Sequence, residues 1–235
     1  MNTGPDMDRA SREHHLEVLR TARYHTLGEP EPSVREVWFV CHGYRQLAGR
    51  FIRRFSGIAD ETRLVVAPEG LSRFYVDPEE RAHRGDDLVG ATWMTREDRE
   101  SEIQDYVRYL DRLHEAVMSG LDDTPRSVVV LGFSQGVHTV SRWVTLGTVR
   151  PSALILWGAY PPPDLPPTEA AERLGATRLL LVAGTSDRYW NEQGRAGEEA
   201  RLESLGVSYE TRTFEGGHEI DRTVLAEVAR GVGES

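Results

Sequence analysis

Three short stretches of the chain carry the residue types needed to break an acyl bond. Ser134 sits in Gly132-Phe133-Ser134-Gln135-Gly136, a G-x-S-x-G pattern, with the apolar run Val128 to Leu131 before it and Val137, Val140 and Val144 at helical spacing after it. Strand, tight turn and helix in that order make a nucleophile elbow, in which glycines on either side let a sharp turn push the hydroxyl outward. Asp187 follows the apolar run Leu179 to Ala183, and His218 ends Gly216-Gly217-His218. A serine hydroxyl is a poor nucleophile until an imidazole takes its proton. That imidazole in turn needs a carboxylate to set its tautomer and stabilise its cation. The oxyanion of the tetrahedral intermediate also needs N–H donors. The expected donors are the amides of Gln135, next after the serine, and Tyr44, in the loop after Cys41.

Each of these residues has a competitor or a plainer role. Asp187 could cap a helix, and Asp164, in the connector Pro161 to Pro167, is the second choice for the acid. His218 could belong to an ordinary glycine turn. His138, one helical turn beyond Ser134, reads as a packed histidine rather than the base, and His42 as a support for the oxyanion loop. Cys41 ends an apolar strand and reads as core. His14, His15, His25, His83 and His114 show no metal-ligand spacing with cysteine or carboxylate partners, so no metal and no cofactor are expected.

These groups must be positioned by a scaffold, and the chain alternates apolar runs with helical stripes. Met1 to Arg12 is polar and reads as a loose tail, leaving 13–235 as one domain. His15 to Gly28 is rich in strand formers and suggests an early edge strand, while Val34 to Cys41 and Arg63 to Pro68 read as buried strands. Leu47, Phe51, Phe55 and Ile58 share a helical face between them. Glu69 to Glu97 breaks the rhythm and is expected to be an irregular loop or a lid. Arg99 to Met118 carries the stripe Ile103, Tyr106, Leu110, Leu113 and Val117. Ala153 to Gly158 and Leu179 to Ala183 read as strands. Glu192 to Leu205 reads as a helix, Ser208 to Phe214 as a strand near the sheet edge, and the residues after Asp221 as a last helix. Strands alternating with helices imply an α/β fold, with a mostly parallel central sheet and helices on both faces. In such a sheet the ligand lies at the carboxyl ends of the strands, where all the candidate groups stand.

Composition narrows the partners. A net charge of −10 over 235 residues, with no basic block, argues against nucleic acid and against an anionic membrane surface. All 28 basic residues are arginines, which removes Schiff-base chemistry and the lysine of a phosphate-binding loop. The single cysteine excludes an internal disulfide. No run of eighteen apolar residues is present, so no membrane insertion and a cytoplasmic location are expected.

Taken together, GFSQG at 132–136, HGY at 42–44, GTSDRY at 184–189 and GGHEI at 216–220 resemble the phospholipase/carboxylesterase family of α/β hydrolases, which includes acyl-protein thioesterases. The resemblance runs from about Val34 onward. It implies a cofactor-free serine hydrolase of carboxylic esters or thioesters. Ser134, Asp187 and His218 are then the triad, in the chain order α/β hydrolases use, with the Tyr44 and Gln135 amides as oxyanion donors. Where the family's first loop commonly reads HGLGD, this chain has HGYRQ, so a bulky Tyr44 and a charged Arg45 replace small or apolar neighbours.

Aromatic residues near strand ends, Phe74, Tyr75, Trp93, Trp157, Tyr189 and Trp190, are expected to line a pocket suited to small or aromatic acyl groups. The expected partner is a small ester or thioester. A non-catalytic binding protein on the same scaffold, or a peptidase or acyltransferase using the same triad, is the alternative.

Overall fold

The computed structural model describes residues 11–76, 88–121 and 126–233. The apolar runs pair into a seven-stranded sheet. Its order is β1 (Tyr24–Leu27), β3 (Arg63–Pro68), β2 (Glu36–Cys41), β6 (Ser127–Phe133), β7 (Ala153–Trp157), β8 (Arg178–Gly184) and β9 (Tyr209–Phe214). Only β1 is antiparallel to its neighbour; every other pairing is parallel. Parallel strands need crossover connections, and helices supply them on both faces.

Successive side chains of a strand point to opposite faces, so the apolar runs fill two cores at once. Phe39, Cys41, Val130, Leu154, Leu156 and Leu181 face one core. Against them pack α2 (Arg99–Ser119), α3 (Gln135–Leu146), α4 (Pro167–Gly175) and α5 (Glu192–Ser204). Trp38, Val40, Val129, Leu131, Ile155 and Val182 face the other. There they meet α1 (Ala48–Phe51), which tightens into a 3₁₀ turn over Ile52–Phe55, and α6 (Arg222–Gly233). Both cores share the one sheet, so the chain is a single α/β domain. Among the described residues no helix is long and apolar enough to cross a membrane.

Two expectations change. The edge strand is confined to Tyr24–Leu27, not His15 to Gly28, because β3 is its one partner and their pairing runs only from Tyr24 opposite Pro68 to Leu27 opposite Val65. The residues before it form no regular element, and Leu16, Val18 and Leu19 lie 86%, 76% and 99% exposed. The segment 69–97 is not irregular throughout: β4 (Ser72–Tyr75) and β5 (Val89–Thr92) form an antiparallel hairpin, while 77–87, like 1–10 of the expected tail, lie outside the described residues.

Helix α3 approaches the sheet so closely that Gly136 has no room for a side chain, since a Cβ there would overlap the Cys41 carbonyl oxygen. Gly136→Ala is therefore expected to destabilise the fold by about 1–3 kcal/mol. That is a fall of roughly 2–4 °C in thermal midpoint per kcal/mol for a domain of this size, read by circular dichroism. Gly197→Ala is the contrast, because a Cβ at that exposed position on α5 meets nothing. Alanine's better helix propensity should leave the midpoint unchanged or slightly raised.

Candidate active site

The carboxyl ends of β2, β6, β7, β8 and β9 bring the candidate groups together. Ser134 is the residue between β6 and α3, with φ 55° and ψ −118°, a backbone conformation that costs a non-glycine residue about 1–3 kcal/mol. Its amide donates to the Trp157 carbonyl at 2.9 Å, tying the turn to the end of β7. The flanking glycines are sterically required. A Cβ on Gly132 would overlap the Gly136 carbonyl, and one on Gly136 the Cys41 carbonyl.

His218 and Asp187 meet across the loops after β9 and β8. The imidazole Nδ1 lies 2.7 Å from Asp187 Oδ2, and the aspartate side chain is only 1% exposed. Asp187 Oδ1 accepts from the Tyr189 amide at 2.9 Å, so both carboxylate oxygens are held. With a carboxylate facing Nδ1, that nitrogen carries the proton and Nε2 is left as the basic one. Gly158, at φ 74°, forms the floor of the pair: a Cβ there would come within 3.0 Å of His218 Cε1 and 3.3 Å of Asp187 Oδ2. The ring of Phe133, immediately before Ser134, lies 4.9 Å from the His218 ring and places the imidazole beside the elbow.

The loop after β2 covers the serine. A Cβ on Gly43 would stand 3.1 Å from Ser134 Cβ, so Tyr44 follows directly over the elbow. Among the described residues no acceptor engages the amide of Tyr44 or that of Gln135. His42 sets the loop's shape. Its Nε2 accepts from the Gly70 amide at 3.0 Å, which leaves the proton on Nδ1 to be donated to the Gly43 carbonyl at 2.8 Å. Burial lowers its pKa to about 4, against the weaker opposing effects of the Gly43 carbonyl and Glu69, so it is neutral at neutral pH. Trp93 lies on it at 5.0 Å between ring centres and donates Nε1–H to the His42 carbonyl at 2.8 Å.

Two supports were not legible in the sequence. The Gln135 side chain reaches the hairpin strand, donating to Thr92 Oγ1 at 2.8 Å and to the Met94 carbonyl at 3.0 Å. Glu69 is a buried carboxylate bound by Arg23, at 2.7 and 3.0 Å to its two oxygens, by Arg73 at 2.6 Å and by the Ala48 amide at 3.1 Å. Burial alone would raise its pKa. The hydrogen bonds from Arg73 and Arg23 outweigh that and hold it below the usual carboxylate range. Neither has a local motif, since Arg23 and Glu69 are 46 residues apart.

The competing candidates fall elsewhere. Asp164 pairs with Arg99 and with Arg142 at 2.8 Å, and those bonds overcome the effect of its burial to bring its pKa to about 2; it bridges α2 and α3 rather than serving His218. Burial pushes the Cys41 thiol well up, which leaves it no thiolate at neutral pH. His138 is lowered to about 4 by burial, with Arg142 adding to the effect. Glu13, His15 and Asp98 cluster on the exposed surface, with nothing among the described residues pointing to an ion there.

The structure does not gather the expected aromatic lining in one place. Trp157 is 0% exposed, because the last residue of β7 faces the α1/α6 core, and its Nε1 donates to the Glu219 carbonyl. Trp93 is 2% exposed beneath His42, and Trp190 is 9% exposed, stacked on Tyr160 at 4.3 Å. Tyr75 lies on the opposite side of β4 from Phe74. Beside His218 stand the rings of Phe133 and of Tyr189, the latter at 4.7 Å, while Tyr44, on the loop that approaches the serine, is stacked on Phe74 at 5.3 Å.

Acid should expose the two buried supports in sequence. The neutral, buried His42 is harder to protonate folded than unfolded, so its contribution is full above about 6.5 and is lost as pH falls towards about 4. Glu69, whose folded value is depressed, contributes above 4.5 and is lost below it. The thermal midpoint should therefore fall from pH 6.5 downward. In His42→Gln the fall between 6.5 and 4 should be shallower but not abolished, because His138 carries the same sign. Glu69→Gln should cost about 2 kcal/mol at pH 7, the scale of a lost charged hydrogen bond. An unchanged pH slope in His42→Gln would contradict its buried neutral state.

No protein-family model and no curated protein sequence matches the chain. Solved structures do. Acyl-protein thioesterase 2 of Zea mays aligns at 14% identity over 91% of this chain and 99% of its own, with a TM-score of 0.65. The Bacillus cereus carboxylesterase aligns at 13% identity, over 91% and 94%, with 0.62. YahD, solved with malic acid, aligns at 12% identity, over 91% and 99%, with 0.64. At this identity the likeness speaks for the fold: the chain is built on the α/β-hydrolase fold, in the form these thioesterases and carboxylesterases take.

Proposed function

We propose that the protein is a cofactor-free serine hydrolase cleaving carboxylic esters, or thioesters, of small or aromatic acyl groups. The observation that carries the reading is the bond from His218 Nδ1 to the buried Asp187 Oδ2, beside a serine held at φ 55°. An imidazole whose Nδ1 proton is fixed by a carboxylate has its Nε2 free to accept the serine proton. The esterase and thioesterase names among the structural neighbours agree with this reading.

In the reaction Ser134 Oγ attacks the acyl carbon while His218 Nε2 takes its proton. The charge that develops on the carbonyl oxygen meets the amides of Tyr44 and Gln135, which no acceptor among the described residues occupies. His218 returns the proton to the departing alcohol or thiol, and water, activated by the same nitrogen, then releases the acyl group from Ser134. Asp187 keeps the imidazole in the required tautomer and stabilises its cation. The Tyr44 and Phe74 rings, stacked on each other next to the Gly43 that approaches the serine, favour short or flat acyl groups over long chains. The substrate is a small molecule, not a nucleic acid, and the buried single thiol of Cys41 is compatible with a cytoplasmic setting.

Hydrolysis of 4-nitrophenyl esters of increasing acyl length tests the reading. Turnover should peak at short chains, fall by roughly 10⁴ to 10⁶ in Ser134→Ala and by roughly 10⁴ in Asp187→Asn. A fluorophosphonate should label wild type and not Ser134→Ala. A fold-retaining Ser134→Ala that hydrolyses at the wild-type rate would rule the mechanism out.

A further inference from the structure

Most arginines near the serine are engaged. Arg73 is bound to Glu69 at 2.6 Å, and Arg45 donates to the Val76 carbonyl at 3.2 Å. Arg188 differs. It is exposed, and its guanidinium lies 4.7 Å from the centre of the Tyr189 ring, with Nη2 donating to the Tyr189 hydroxyl at 2.7 Å. Among the described residues no carboxylate lies within ion-pair distance of it. The adjacent Asp187 is not available, since its oxygens serve the Tyr189 amide and His218. In a chain of net charge −10, this is a cation with no counter-ion among the described residues, lying on the ring that contacts the candidate base.

Its position is fixed as well as free. The Tyr189 and Trp190 amides both bond to Asp187, at 2.9 and 3.0 Å, locking the turn that carries Arg188 to the acid. Tyr189 in turn touches His218 at 4.7 Å. Two successive steps of 4.7 Å place the guanidinium carbon at most 9.4 Å from the imidazole centre. An arginine laid on a ring has little side-chain freedom left to lose, and its planar fork suits a carboxylate.

We propose that Arg188 is a specificity-determining residue that binds a carboxylate on the leaving group of the substrate. This rests on the serine hydrolase reading and deepens it. The leaving group is the side selected, because His218 hands its proton to the departing oxygen and Arg188 flanks His218, whereas the Tyr44–Phe74 pair flanks the serine through the oxyanion loop. A carboxylate is selected over a phosphate because a dianion draws in a second cation, and Arg45 and Arg73 are already engaged. The substrates are thus short esters of carboxylate-bearing alcohols or phenols, with the charge a few bonds from the scissile oxygen.

The test pairs 4-nitrophenyl butyrate with the same ester bearing a carboxylate on the nitrophenyl ring, 5-butyryloxy-2-nitrobenzoate. Wild type should prefer the charged ester in kcat/KM by roughly ten- to a hundredfold, after each is corrected for its spontaneous rate. The preference should shrink in high salt. Arg188→Gln should remove the preference while leaving the neutral ester unchanged, Arg188→Lys should keep part of it, and Arg53→Gln, an exposed arginine on the 3₁₀ turn, should change neither rate. Equal losses on both esters in Arg188→Gln, or no wild-type preference, overturn the assignment while the hydrolase reading stands. No turnover of either ester together with no fluorophosphonate labelling overturns the hydrolase reading, and this inference falls with it.

Discussion

Gly136 has no side chain because helix α3 starts in contact with the end of β2, and the rest of the site depends on that closeness. Any Cβ at this position would overlap the Cys41 carbonyl oxygen, and one at Gly132 would overlap the carbonyl of Gly136 itself. With the helix this near, the one residue between strand and helix must turn through φ 55°, and Ser134 is raised at the edge of the sheet. The strain is sustained by a parallel sheet buried on both faces. Phe133, Val130 and Leu131 are anchored in two cores, and the Ser134 amide is bonded to β7. A looser sheet would let the turn relax and the serine withdraw.

Around that fixed point the polar groups are arranged so that each buried one holds the next. Glu69 gathers Arg23, Arg73 and the first amide of α1, and the Gly70 amide that follows it bonds His42. His42, held neutral by burial, orients the Gly43 carbonyl, and therefore the peptide that presents the Tyr44 amide. From the other side the Gln135 side chain and the Trp93 indole fasten the end of the hairpin's second strand to the same place. A buried carboxylate left without its arginines, or a protonated His42 facing the Gly70 N–H, would cost more than the bond it lost, which holds the 42–46 loop in one arrangement.

What could be read from the sequence was what local spacing encodes. The elbow, the two loops bearing Asp187 and His218, the long helix α2 and the two-faced strands follow from periods of two and 3.6 and from glycine placement. The longer-range features were hidden. Glu69 finds Arg23 far along the chain, the hairpin strands are only four residues each with a long connection between them, and α4 begins inside a proline run whose last member takes the first helical position. The pocket was misjudged for a reason of parity. Trp157 stands at a strand end, but the alternation of β7 turns it into the α1/α6 core, while Tyr189, on a turn, is left half exposed against His218.

The hairpin is tied to the loop that approaches Ser134. Its inner strand is joined to the oxyanion loop by the Arg45 amide bonded to Ala91, the Ala91 amide bonded to Gln46, and Gly90, where a Cβ would press to 2.6 Å on the Arg45 carbonyl. Arg45 itself is held at φ 67° by this pairing. A movement of the hairpin base would therefore drag the Gly43–Gln46 turn and displace the Tyr44 amide from above the serine. Tyr44 and Tyr189 are half exposed, whereas the base of the hairpin is bound into the 43–46 turn. The turn against Ser134 and the base of the hairpin are thus held as one unit by backbone bonds.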